Sequence, residues 1–230
     1  MRKHIYDKDI LYSVLRVIWT DWKIRHSYRK REIHGLENIP QDGALLFTPN
    51  HSNALMDALA ILASYRGITV FGARADMFKI PIVAKAMSFV RILPMVRQRD
   101  GLRNVLKNYE SLDIITETLE HGVRFCMYPE GRHRPAHSLL PLGKGVMRAA
   151  IAANNRLEGK KPVYIVPTGL EYGDYFRYRS TSRAVTNYFV EALKHWSVRI
   201  SSAQTLKQFI ANISCINIGE NKSIGRTSNF

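Results

Sequence analysis

The sequence predicts an α/β domain: a mixed, mostly parallel sheet flanked by helices and preceded by an N-terminal amphipathic helix. Three observations carry this. Short apolar runs at 44–47, 68–72, 123–128 and 162–167 have the length and the β-branched or aromatic content of buried strands. Longer segments with apolar residues at helical spacing alternate with them, the pattern of strands joined by helical crossovers. The turns that leave the strands carry Pro, Gly and charged residues, at the strand ends where α/β sheets hold ligands.

Composition sets the bounds. A chain of 230 residues, 46% hydrophobic, is enough for one sizeable core. The excess of 34 Lys and Arg over 19 Asp and Glu gives a net charge of +15, which favours anionic partners: nucleic acid, anionic headgroups or phosphorylated substrates. Nucleic acid is disfavoured, because the aromatics are not interleaved with the basic residues as a stacking platform requires. The two cysteines, Cys126 and Cys215, form neither a disulfide framework nor a metal-ligand spacing, so a reducing compartment is expected. Asp7, Lys8, Asp9 and Arg16 break any signal-peptide core, and no run reaches the ~20 apolar residues of a membrane span. The expectation is a protein without signal peptide or transmembrane span, peripheral on the cytoplasmic face of a membrane.

In chain order, residues 9–31 read as one helix, with Ile10, Leu11, Val14, Leu15, Val17, Ile18, Trp22 and Ile24 at roughly helical spacing. Its C-terminal part mixes Trp19, Trp22 and Tyr28 with Lys23, Arg25, Arg29, Lys30 and Arg31. That mixture suits a membrane interface and equally a helix packed on its own domain with a solvated basic end. Segment 1–32 is therefore set apart as a basic helical segment, and 33–183 as the main domain. Residues 33–40 form a short strand-like piece with turn residues.

The run 44–47 is a buried strand, and the stretch Thr48 to Asp57 leads from it into an Ala/Leu/Ile-rich helix at 54–63. Pro49 biases Thr48 away from helix, and Ser52 or Asn53 can cap the helix. His51 thus lies in a strand-to-helix turn, with Asp57 in the first helical turn. On a continuous helix, at ~100° per residue, the two side chains diverge. Only non-helical backbone at His51 lets its ring fold back onto Asp57. An ordinary histidine and a dipole-favoured acid are the competing reading.

Next come a strand at 68–72 and an amphipathic helix at 77–91 whose apolar face is assigned mainly to the core. Residues 91–97 are extended and end in a basic cluster of Arg97, Arg99 and Arg103; 104–120 is a helix. The strand 123–128 runs into Pro129, Glu130, Gly131, Arg132, His133 and Arg134. Gly131 permits close backbone approach to a ligand, and Arg132 offers the bidentate fork that matches phosphate; an ordinary basic loop is the alternative. Gly143 and Gly145 open a helix at 146–154 without the spacing of a phosphate-binding loop. The strand 162–167 follows, then a turn at 168–174. The remainder, 184–230, reads as a divergent C-terminal segment, helical in part and otherwise truncated or disordered.

The turns taken together resemble those of the glycerolipid acyltransferase family. Asn50, His51 and Asp57 match its first block with one residue more than the commonest spacing. The segment Ile92 to Arg97 matches the second, and Tyr128, Pro129, Glu130 and Gly131 the third. Arg132 stands where Thr is usual, and His133 where the family has Arg. Tyr164 to Pro167 matches the fourth block; the strand that usually follows it is not legible after Arg183.

The resemblance implies transfer of a fatty acyl group from acyl-CoA or acyl-carrier protein to a hydroxyl of lysophosphatidate or glycerol-3-phosphate. It makes His51 and Asp57 the catalytic pair, and Asn50, Arg97, Glu130, Gly131, Arg132 and Arg134 the acceptor site. No metal or cofactor is implied. The partners are the acyl donor, the glycerophospholipid substrate and an anionic membrane surface. An amino-acid-containing lysolipid is the alternative acceptor.

Overall fold

The computed structural model describes residues 4–7, 9–65, 67–95, 105–135, 140–158, 160–173 and 180–186. The described residues contain a seven-stranded sheet in the order β1-β7-β6-β2-β5-β3-β4. In chain order the elements are α1 (Ile10–Ser27), β1 (Tyr28–His34), β2 (Ala44–Pro49), α2 (Leu55–Ser64), β3 (Thr69–Arg74), α3 (Pro81–Phe89), β4 (Ile92–Met95), α4 (Val105–Glu120), β5 (Arg124–Cys126), α5 (Gly145–Leu157), β6 (Val163–Tyr172) and β7 (Ser180–Thr186). All neighbouring strands run parallel except β6 and β7. This is the mostly parallel α/β architecture that the alternating pattern predicts.

The strands sort their side chains by parity, as the period of two requires. On β2, Ala44 and Leu46 join a core with Ile115 and Leu119 of α4 and Val146, Ala149 and Ala153 of α5. Leu45 and Phe47 face the other way, onto Ile24 of α1 and Leu59, Ala60 and Ile61 of α2. The sheet is thus the middle of three layers, and every residue of β2 is buried. Burying β2 on both faces fixes its register against β6 and β5, and with it the position of the turn at its end.

Several sequence expectations are corrected. The first helix ends at Ser27, and Tyr28 to His34 form a strand whose neighbour among the described strands is β7. Its run of Arg29, Lys30 and Arg31 is exposed at the sheet's edge, where charge discourages pairing with further chains. The division of the chain at 32/33 therefore falls inside β1. A strand does follow the fourth block: β7, which spans Arg183 and ends at Thr186. Strand β6 runs ten residues, to Tyr172, and absorbs the expected turn at 168–172. Residues 187–230 lie outside the described residues.

The helix expected at 77–91 is a short 3-10 turn followed by α3, none of whose residues is buried, so its apolar face is not core. Helix α1 turns most of its apolar stripe outward. It buries Tyr12, Thr20 and Ile24, while Ile10, Leu11, Val14, Leu15, Val17, Ile18, Trp19 and Trp22 are exposed. Arg91, buried just before β4, donates to the carbonyls of Ile5 and Asp7 and lies 4.5 Å over the Tyr12 ring, tying the start of α1 to the sheet.

Candidate active site

Strand order brings the site together. The chain leaves β2 at Pro49 and returns much later as β5, which inserts between β2 and β3. The turns after β2 and β5 are consequently neighbours at the carboxyl end of the sheet, and β6 flanks β2 on its other side. In an open α/β sheet this is the crevice that ligands occupy.

Asn50 closes the ladder. Its Nδ2 donates to the Leu170 carbonyl at 2.9 Å, and the Leu170 N–H donates to its Oδ1 at 2.6 Å. The amide thus imitates a further strand residue against β6, and both its polar atoms are occupied in holding the turn. His51 follows on non-helical backbone, and α2 starts at Leu55 with Asp57 in its first turn. Neither Ser52 nor Asn53 caps α2 through its side chain; the N-cap is Ala54, at φ 44 and ψ −117. Instead Asp57 Oδ2 reaches back to accept the Asn53 N–H at 2.8 Å, tying the turn before the N-cap to the first turn of the helix.

His51 Nδ1 lies 2.8 Å from Asp57 Oδ2, as a turn outside the helix allows. Asp57 is completely buried, and its Oδ1 accepts from the Tyr172 hydroxyl at 2.7 Å. An ionised carboxylate can only accept, so with Asp57 in that form Nδ1–H of the imidazole is the donor. In a neutral ring Nε2 then carries the lone pair. The ring of Tyr128 stacks on His51 with centroids 4.0 Å apart, and His133 meets it edge-on at 5.5 Å. Burial pushes the Tyr128 phenol well above its usual value, and Cys126 and Asp57 push the same way.

Glu130 supports the turn from below. Its Oε1 accepts the His51 N–H at 3.0 Å and its Oε2 the Leu140 N–H at 3.3 Å. Burial raises its pKa, and the backbone donors from His51 and Leu140 oppose the rise. The Arg134 N–H donates to the His51 carbonyl at 3.3 Å, so the turns after β2 and β5 are stitched through both peptide groups of His51. Gly131, at φ 62, has nothing within 4 Å of where a Cβ would stand, which leaves room for a ligand against the backbone. Arg132, His133 and Arg134 are exposed around it. Arg97 lies outside the described residues. No group of His, Cys, Asp and Glu able to hold a metal ion occurs among the described residues.

The structure thus unites Asn50, His51, Asp57, Glu130 and Gly131, with Arg132 and Arg134 on the same turn. It adds Asn53, Tyr128 and Tyr172, which the sequence does not single out as site residues. Tyr172 gives no signal of its own, since it continues the buried parity of Tyr164, Val166 and Leu170 on β6. Replacing Asn50 by Ala strands the buried Leu170 N–H and carbonyl, and is expected to cost about 1–3 kcal/mol in chemical denaturation. An unchanged stability would show that the amide does not close the ladder.

Comparison with known proteins bears on the fold and the family. Residues 30–171 match the family model described as Acyltransferase. Over 136 residues the chain is 27% identical to the chloroplastic 1-acyl-sn-glycerol-3-phosphate acyltransferase BAT2 of Brassica napus, covering 58% of this chain and 37% of that protein. It is 24% identical over 199 residues to the chloroplastic 1-acyl-sn-glycerol-3-phosphate acyltransferase LPAT1 of Arabidopsis thaliana, covering 86% of this chain and 49% of that one. The chain therefore spans between about a third and a half of the length of these relatives. The crystal structure of the 1-acyl-sn-glycerophosphate acyltransferase PlsC of Thermotoga maritima shares the fold, with a TM-score of 0.57 at 18% identity over 95% of this chain and 79% of that one. With more than half of its length matched, including His51, Asp57 and the turn after β5, the chain belongs to the acyltransferase family.

Proposed function

We propose that the protein transfers a fatty acyl group from a thioester, acyl-CoA or acyl-carrier protein, to a hydroxyl of a glycerol phosphate acceptor. Lysophosphatidate is the first choice, because the curated relatives are named for acylating 1-acyl-sn-glycerol-3-phosphate; glycerol-3-phosphate is the second. The observation that carries the reading is the His51–Asp57 pair, 2.8 Å apart, beside a cationic turn at the carboxyl end of the sheet.

An alcohol is a weak nucleophile at neutral pH and needs a base within hydrogen-bond reach. His51 Nε2 takes the hydroxyl proton as the oxygen attacks the thioester carbonyl. The tetrahedral intermediate collapses, the C–S bond breaks, and the imidazolium returns its proton to the leaving thiolate. Asp57 holds the ring in the required tautomer and stabilises its transient charge. Peptide N–H groups at the start of α2 are assigned to the developing oxyanion. Arg97, with Arg132 or Arg134, is assigned to the acceptor's phosphate, and the space beside Gly131 to its approach.

The substrates are amphiphiles, and the surface suits them. Ile10 and Ile82 are 83% and 76% exposed, and with Trp19, Trp22, Ile80 and Phe89 they put large apolar side chains outward on α1 and around α3. Single exposed apolar residues need no explanation, but a row of this kind does. No helix among the described residues is long and apolar enough to cross a membrane. Together with the net charge of +15, this supports peripheral attachment to an anionic membrane.

Assays in lipid micelles, crossing both donors with lysophosphatidate, glycerol-3-phosphate and a lyso-aminolipid, test the chemistry. His51→Ala is expected to lower transfer by on the order of a thousandfold or more, with a melting temperature within about 3 °C of wild type. Wild-type rates in that variant would rule out His51 as the base, and transfer confined to the lyso-aminolipid would replace the acceptor. Attachment is tested by co-sedimentation with phosphatidylglycerol and phosphatidylcholine vesicles. Binding should favour the anionic vesicles and drop about tenfold or more in Trp19→Ser/Trp22→Ser; equal binding of both proteins would exclude α1 as the contact.

A further inference from the structure

We infer that Tyr172 is a positioning residue for the catalytic pair: its hydroxyl fixes the Asp57 carboxylate so that Oδ2 is presented to His51 Nδ1. The inference rests on the proposed reaction, in which His51 acts as base. It starts from how Asp57 is held. A carboxylate at the end of a short side chain turns easily about its last torsion, which is broad for aspartate. The Asn53 N–H and His51 Nδ1 both address Oδ2, each at 2.8 Å. Both oxygens turn together about that bond, and these two contacts hold it at one of them only. The Tyr172 hydroxyl, 2.7 Å from Oδ1, anchors the other and so resists the same rotation.

Tyr172 is built to keep its place. It is 1% exposed, at the end of β6, the strand hydrogen-bonded to β2 just before the catalytic turn. Its ring packs against Tyr28, with centroids 5.6 Å apart. Burial and the neighbouring Asp57 push its ionisation well above the usual value, so the hydroxyl keeps its proton throughout the neutral range. Tyr28 accepts from Asn53 Nδ2 at 3.1 Å, and the Asn53 N–H is the backbone donor to Asp57. The two supports of the carboxylate therefore meet at Tyr28, the residue that ends α1 and opens β1. Tyr172 stands one residue past the segment 30–171 that matches the family model, so the match does not supply its role.

The competing view is that Tyr172 is an aromatic filler at the end of a strand. Tyr172→Phe separates the two, because it keeps the ring and removes only the hydroxyl. A positioning role predicts a kcat lowered about tenfold, the worth of one buried hydrogen bond to a charged group, with both KM values unchanged within about twofold. In an Asp57→Asn background the same substitution is expected to have no further effect, since Tyr172 acts through the carboxylate. Unchanged kcat, or the same fold-loss in both backgrounds, overturns the inference.

A second measurement needs no substrate. In the free protein, the proton in the 2.8 Å contact between His51 Nδ1 and Asp57 is expected to resonate far downfield in the proton NMR spectrum. Tyr172→Phe is expected to move that resonance, and a ring-fluorinated tyrosine at position 172, whose hydroxyl is a stronger donor, to move it the opposite way. A resonance indifferent to both overturns the role of Tyr172. Absence of acyl transfer in the wild-type protein would instead defeat the proposed reaction and leave the spectrum to decide on Tyr172.

Discussion

The hydrogen bond between His51 and Asp57 has to span a strand end and a helix start, and the surrounding structure is shaped by that demand. The backbone must leave β2 after Pro49, turn at His51 and enter α2 by Leu55. It does so through Ala54 at φ 44, a region that side-chain-bearing residues avoid. Such a conformation costs on the order of 1–3 kcal/mol and persists only where neighbours over-determine it. Here they do. Asn50 is pinned to β6, His51 is held by Glu130 and the Arg134 peptide, and Asn53 is held by Asp57 itself.

The same arrangement divides labour between the two acids. Asp57 and Glu130 both receive two or more donors, but for different ends. Asp57 accepts from three groups and orients a ring; Glu130 accepts two peptide N–H groups and orients the backbone that carries the ring. Both carboxylates are thus engaged in holding His51. Arg132 and Arg134 stand exposed beside it, which suits a phosphate-bearing acceptor. Exposed apolar side chains on α1 and around α3 would suit the amphiphilic substrates of the proposed reaction.

Local features are the ones legible in the sequence. The turn from Thr48 to Asp57 announces itself through Pro49 and through a spacing that only a non-helical His51 can satisfy. The parallel sheet follows from the alternation of segments. The misreadings have physical causes. The basic run after Trp22 continues a helical pattern, and only pairing with β7, some 150 residues away, makes it a strand. Strand β7 opens with Ser180, Thr181 and Ser182, so it carries little of the apolar signal by which strands are found. Nothing in the surroundings of Glu130 reveals that it accepts the N–H of His51, 79 positions earlier. Tyr172 is the extreme case: its contact spans 115 positions, and along its own strand it is one more buried aromatic.

The central claim is that Asp57 fixes the His51 ring with its proton on Nδ1 and a free lone pair on Nε2. Nitrogen-15 NMR of histidine-labelled protein at neutral pH reads this directly, because protonated and bare imidazole nitrogens resonate far apart. The expected result is a neutral His51 ring protonated at Nδ1, with that preference lost in Asp57→Asn. A ring that carries its proton on Nε2 in the wild-type protein would contradict the claim, since no base would then face the acceptor.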